Sequence, residues 1–156
     1  MTSTLNLESI TLKVIALDLE GTIISNAMSQ IPRPGLFEFL QECRTICERI
    51  VLFTTVNESA ARKIVRLLAE EGFAPTWFAG IEYVKWEGET KDLSFIPAAD
   101  PKECVLIDDF HIYVHPGQEE QWIQIEQFDT PYREEDSELP RVIEILRGRK
   151  NKKDQC

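Results

Sequence analysis

Positive charge is what this chain is short of. Lysine and arginine number 17 against 27 aspartates and glutamates, which leaves a net charge of -10 and a pI near 4.7. Nucleic-acid binding rests on lysine and arginine neutralising phosphates, so so acidic a chain lacks that electrostatic footprint. Long apolar runs are missing too, and nothing approaches the length a membrane-spanning helix needs. The four cysteines are scattered. Nothing ahead of the first apolar run reads as a secretory signal. Reduced thiols, a cytoplasmic setting, no membrane and no nucleic-acid partner are therefore the expectation. Internal repeats and low-complexity segments are also lacking.

What is present suits one soluble globular domain: 156 residues, 43% hydrophobic and 28% charged, enough to bury a sizeable core. The chain divides into a flexible N-terminus over 1–11, a folded domain over 12–146 and a basic, disordered tail over 147–156. Within the domain, Val14–Ile23 reads VIALDLEGTI. Four apolar residues running into a polar cluster predict a strand buried on both faces, as in parallel sheets. Ile50–Phe53, Cys104–Ile107 and Trp122–Ile125 read as further strands, with a short strand or hairpin over Thr76–Trp86. Pro34 opens a helix with Leu36, Phe39, Leu40, Cys43 and Cys47 on one stripe. A second helix starts after Asn57, stops at Gly72 and turns Ala60, Ile64, Leu67 and Leu68 inward. A last helix begins near Glu135, with Leu139, Val142, Ile143 and Leu146 on one face. Strands alternating with helices predict a three-layer, Rossmann-like α/β fold, a parallel sheet with helices on both faces.

Three of the buried strands end in polar groups: Asp18 and Glu20, then Thr54, then Asp108 and Asp109. In a parallel sheet those ends share one edge, where α/β proteins bind ligands. Carboxylates gathered in one place are costly unless a cation neutralises them, and hard oxygen donors without a nearby histidine favour Mg²⁺. A lysine, here Lys91, and a threonine hydroxyl beside such a cation suit a transferring phosphoryl group. Asp18 is then placed to attack phosphorus and form an aspartyl-phosphate, with Glu20 moving the proton. Thr55 is the fallback for Thr54.

Five stretches carry a family resemblance: DLEGT, IPRPGLFEFL, VLFTT, KDLSFI and VLIDDF. In this order they resemble the motifs of the haloacid dehalogenase superfamily, and within it the NLI-interacting-factor-like phosphatases related to RNA polymerase C-terminal-domain phosphatases. WIQIEQF followed by EEDSEL resembles that group's C-terminal strand and helix start. The resemblance implies a Mg²⁺-dependent phosphatase with Asp18 as nucleophile and metal ligand. Glu20 would be the acid/base, its backbone carbonyl also on the metal, and Thr54 and Lys91 would bind the phosphoryl oxygens. It makes Asp109 the direct metal ligand, with Asp108 acting on Lys91 or through water. Family members with large caps act on small metabolites. The minimal cap here implies an open site for a phosphorylated side chain on a protein, with small phosphorylated molecules as the other substrate class.

One residue departs from the pattern. The family has aspartate where this chain has Glu20, and the extra methylene moves the carboxylate by about 1.5 Å. A shift of about 1 Å can cost roughly 100-fold in rate, so slow turnover is expected. Two alternatives follow. The Asp-x-Glu of Asp18 and Glu20 resembles the first motif of DnaQ-like 3′–5′ exonucleases, which assigns no role to KDLS or Thr54. A catalytically weakened, phosphatase-like binding module is the other. Cys43 and Cys47 with His111 and His115 invite a zinc reading, but both cysteines fall on an apolar helix stripe and lack knuckle spacing.

Overall fold

The computed structural model describes residues 11–151. The expected flexible N-terminus, Thr11 apart, lies outside the described residues, as do residues 152–156 of the expected tail. Five strands, β1 (Val14–Leu17), β2 (Arg49–Leu52), β3 (Glu82–Tyr83), β4 (Cys104–Asp108) and β5 (Trp122–Gln124), form one sheet in the order β3-β2-β1-β4-β5. Every pairing is parallel. Strand β1 is central and buried along its whole length, with Ala16 level with Val51 on one side and Leu106 on the other. That double burial is what its unbroken apolar run encodes.

The three α-helices are α1 (Leu36–Ile46), α2 (Glu58–Glu70) and α3 (Glu138–Asn151). Helix α1 starts on Gly35, whose φ of 83° is left-handed and open to glycine, with Pro34 just ahead of that cap. Leu36, Phe39, Leu40, Cys43 and Ile46 form its buried stripe, and Cys47 is buried just past its end. Asn57 caps α2 by accepting the Ala60 N–H at 2.9 Å. The inner face of α2 is Ala61, Ile64, Val65 and Leu68 rather than the expected Ala60, Ile64, Leu67 and Leu68. Helix α3 begins three residues beyond Glu135 and runs through 147–151, which the sequence assigned to the tail.

The parallel α/β sheet with helices is as the sequence predicts. Among the described residues, the three α-helices lie on one face and short 3₁₀ helices on the other. Ile15, Leu17, Leu52 and Ile107 share a core cluster with buried residues of all three helices, whereas Val14, Ala16, Val51 and Leu106 pack against Val84, Leu93, Ile96 and Trp86. That second covering is a chain of loops and 3₁₀ turns. Between β3 and β4 the sequence breaks at Gly88, Pro97 and Pro101 and never sets up a helical period. Thr76–Trp86 likewise resolves into a 3₁₀ turn over Thr76–Gly80 and the two-residue strand β3. No helix among the described residues is long and apolar enough to cross a membrane.

Candidate active site

The carboxyl ends of β1, β2 and β4 meet at one edge of the sheet. Asp18 follows β1 directly, its N–H held by the Ile107 carbonyl at 3.0 Å. Asp108 closes β4 and Asp109 comes next. One oxygen from each of Asp18, Asp108 and Asp109 lies within 4.8 Å of the others. Lys91 reaches into this cluster from the segment that covers the second face. Its Nζ donates to Asp18 Oδ1 at 2.9 Å and to Asp108 Oδ2 at 2.6 Å, fully buried.

The chain fixes each group by local bonds. Thr22 donates its hydroxyl to Asp18 Oδ2 at 2.9 Å and lies 3.3 Å from Asp109 Oδ1, so one side chain orients both carboxylates. Phe110 N–H donates to Asp108 Oδ1 at 2.9 Å, which turns the other oxygen of Asp108 to Lys91. The Lys91 N–H donates to the Tyr113 carbonyl at 2.7 Å, and its Nζ stands 5.0 Å from the centre of the Tyr113 ring. Gly21 is required on two counts. Its φ is 75°, and a Cβ there would lie 2.5 Å from Asp109 Oδ2.

Burial and like charge act together on the acids. Asp108 is pushed up to about 6, first by burial and then by Asp18. Asp109 is pushed up to about 7 by burial and by the Asp18 carboxylate beside it. Burial works against the Lys91 ammonium, but Asp18 and Asp108 outweigh it and hold its pKa above the usual lysine value. One ammonium among three carboxylates leaves negative charge uncompensated in a poorly solvated place. An all-oxygen donor set with spare negative charge fits a hard divalent cation such as Mg²⁺.

Thr54 lies just past β2, buried. Its Oγ1 accepts the Val56 N–H at 3.1 Å, which leaves the hydroxyl proton to donate elsewhere. The neighbouring Thr55 is exposed. Glu20 does not join the carboxylate cluster. Its Oε2 accepts the Ala27 N–H at 2.6 Å, folding the side chain back on its own loop.

Several residues around the site were given no role by the sequence. Arg33, buried, donates from Nη1 to the Thr22 carbonyl at 3.1 Å and from Nε to Asp136 Oδ1 at 3.1 Å. It thereby ties the loop after Asp18 to the approach to α3. Trp86 and Trp122 donate indole N–H groups to the carbonyls of Thr54, at 2.8 Å, and Asp108, at 3.0 Å. Each caps a strand end that bears a site residue. The thiols of the zinc reading lie in the core, where burial holds Cys43 far above and Cys47 up to about 11. His115 bonds Thr90 and Asp92, on either side of Lys91.

Comparison with known proteins follows the same line. The family described as NLI interacting factor-like phosphatase matches residues 13–155. Two of the solved structures that share the fold are of related phosphatases. One is Fcp1, an essential RNA polymerase II CTD phosphatase, with 17% identity and a TM-score of 0.56 over 99% of this chain and 54% of that one. The other is a variant of fission yeast RNA polymerase II CTD phosphatase Fcp1 bound to beryllium fluoride, with 16% identity and a TM-score of 0.53 over 99% of this chain and 56% of that one. This chain therefore spans about half the length of those two proteins. No curated protein matches it.

Proposed function

The chain belongs to the NLI interacting factor-like phosphatases, and from that premise we propose that it is a Mg²⁺-dependent phosphatase working through an aspartyl-phosphate on Asp18. The observation that carries this reading is the buried Lys91 ammonium bridging Asp18 and Asp108 with Asp109 alongside. Asp18, Asp109 and the Glu20 backbone carbonyl are the proposed holders of the cation, with Asp108 orienting Lys91 or acting through water. When bound, Mg²⁺ supplies positive charge that neutralises these carboxylates and the incoming phosphoryl group.

The residues divide the remaining work. Lys91 and the free proton of Thr54 bind phosphoryl oxygens and draw charge off phosphorus. An Asp18 oxygen forms a bond to phosphorus as the ester P–O bond breaks. Glu20 gives its proton to the leaving oxygen, then takes one from the water that attacks the aspartyl-phosphate, releasing inorganic phosphate and restoring Asp18. For either step Glu20 has to let go of the Ala27 amide. The substrate is a phosphorylated group that reaches an uncapped edge, which suits a protein side chain.

One observation favours a second reading. With Glu20 held by Ala27, the chain could bind phosphorylated partners without hydrolysing them, as a phosphatase-like module. Phosphate release from an aryl phosphate separates the two. The phosphatase reading expects release that needs Mg²⁺, stops with chelator and is lost in Asp18→Asn. Release unchanged in Asp18→Asn would overturn it. Shortening of a single-stranded oligonucleotide with Mg²⁺ would instead support the exonuclease alternative, which gives Lys91 and Thr54 no part.

A further inference from the structure

Lys91 is the member of the charged cluster that no strand carries. Asp18, Asp108 and Asp109 stand at or just past the ends of β1 and β4, where sheet hydrogen bonds fix the backbone. Lys91 lies instead in the irregular stretch between β3 and the 3₁₀ turn at Leu93–Phe95. Its buried ammonium is 2.9 Å from Asp18 Oδ1 and 2.6 Å from Asp108 Oδ2, so any shift of its backbone is felt at both carboxylates.

The loop after β4 fixes that backbone. Lys91 and Val114 form an isolated parallel bridge, through the bond from the Lys91 N–H to the Tyr113 carbonyl. His115, the next residue, spans the lysine. Its Nδ1 lies 2.7 Å from the Thr90 hydroxyl and its Nε2 lies 3.3 Å from Asp92 Oδ2. Thr90 and Asp92 are the chain neighbours of Lys91 on either side. Gln118 closes the grip, donating to Asp92 Oδ1 at 2.9 Å and accepting the Leu93 N–H at 2.9 Å. Neutral imidazole satisfies this arrangement by accepting the Thr90 proton and donating to Asp92, and imidazolium by donating to both. Burial works against the Asp92 carboxylate, but the Ser94 N–H, Gln118 and His115 outweigh it and hold its pKa below the usual value.

We propose that His115 is a positioning residue for Lys91: by clasping Thr90 and Asp92 it sets the reach of the ammonium toward Asp18, Asp108 and the phosphoryl group. The kinetic part of the proposal rests on the phosphatase reading above, and the placement of the ammonium rests on the clasp alone. His115 acts through its neighbours and touches no reacting atom. Its side chain is 35% exposed, so its loss leaves the core packed.

Four variants test it. His115→Ala removes both bonds. His115→Asn keeps an amide in place of Nδ1 for Thr90, and His115→Gln keeps one in place of Nε2 for Asp92. Thr90→Val removes one end of the clasp without touching the histidine. On p-nitrophenyl phosphate His115→Ala should lower kcat by about 10- to 100-fold, the cost of a misplacement of about 1 Å. KM should change much less, because the lysine charge matters most where negative charge develops. Asparagine and glutamine should each recover part of the loss. The second measurement is the ¹H–¹⁵N signal of the buried Lys91 ammonium in metal-free protein, assigned by its absence in Lys91→Met. That signal should shift or broaden in His115→Ala, shift less in Thr90→Val and return toward its wild-type position in the amide variants. A wild-type kcat in His115→Ala, an unmoved ammonium signal, or amide variants no better than alanine would overturn the proposal. Should His115→Ala not fold, an unmoved signal in Thr90→Val overturns it. Absence of phosphate release from the wild-type protein removes the phosphatase reading, and the ammonium signal then upholds or overturns the clasp by itself.

Discussion

A carboxylate that accepts a backbone amide at 2.6 Å is held in place, and Ala27 holds Glu20 in this way. The bond fixes the loop and keeps the carboxylate out of the Asp18–Asp108–Asp109 cluster. Loop structure and the proposed proton transfer are therefore separable by substitution of this one side chain. Glutamine in its place keeps an oxygen that can accept the Ala27 N–H but cannot carry a proton. Glu20→Gln should lower kcat on an aryl phosphate by roughly 10²–10⁴-fold with KM almost unchanged. Steady-state kinetics read the two apart, and a raised KM with kcat intact would assign Glu20 to loop structure alone. Thr22 is the complementary case. The sequence presents it only as a hydroxyl in DLEGT, and its contacts with both Asp18 and Asp109 depend on how the Gly21 turn folds.

At the scale of elements, the loop after β1 is secured by a residue far away in sequence. Arg33 joins the carbonyls of Gly21 and Thr22 to Asp136, just ahead of α3, and its guanidinium lies 5.3 Å from the Phe128 ring. Removing one member of a buried charged pair commonly costs about 3–5 kcal/mol. Arg33→Met should therefore destabilise the chain by about 3 kcal/mol, measured by urea unfolding. Arg33→Lys should recover little, because an ammonium cannot reproduce a planar fork that serves two sides at once. Full recovery by lysine would mean that charge alone matters there. None of this is legible in IPRPG, since the partner lies 103 positions on. The apolar runs of β1, β2 and β4 are legible because a strand buried on both faces has to be apolar throughout. The inner face of α2 is only half legible. Ile64 and Leu68 fix its centre, but Ala60 with Leu67 and Ala61 with Val65 flank that line on opposite sides. Packing against the turn at Thr76–Gly80 and the sheet selects the second pair, and the helical period does not encode that choice.

At the scale of the whole molecule, a strongly acidic chain gathers three carboxylates at one sheet edge and gives them one buried ammonium. The motifs made the gathering legible because the ends of parallel strands share an edge whatever covers the faces. The covering of the second face was not legible, because loops and 3₁₀ turns leave no period to read. The charge imbalance has a consequence for stability. Burial and Asp18 raise Asp108 to about 6 and Asp109 to about 7. Between the ordinary carboxylate value, about 4, and those raised values, the folded chain keeps protons that the unfolded chain has released. Metal-free stability should therefore fall as pH rises through that window. A divalent cation held by the deprotonated carboxylates of the folded chain, as proposed, would offset the loss, by about 2.7 kcal/mol at a hundredfold excess over its Kd. Mg²⁺ should thus raise the unfolding temperature clearly at about pH 7.5 and much less at about pH 5, where protons compete for the same oxygens. Differential scanning calorimetry of the purified protein, with and without Mg²⁺ at both pH values, measures the effect. Asp109→Asn should remove most of the Mg²⁺ increment while also flattening the metal-free fall with pH. An equal Mg²⁺ increment at both pH values, or one that Asp109→Asn leaves intact, would place the cation away from this cluster.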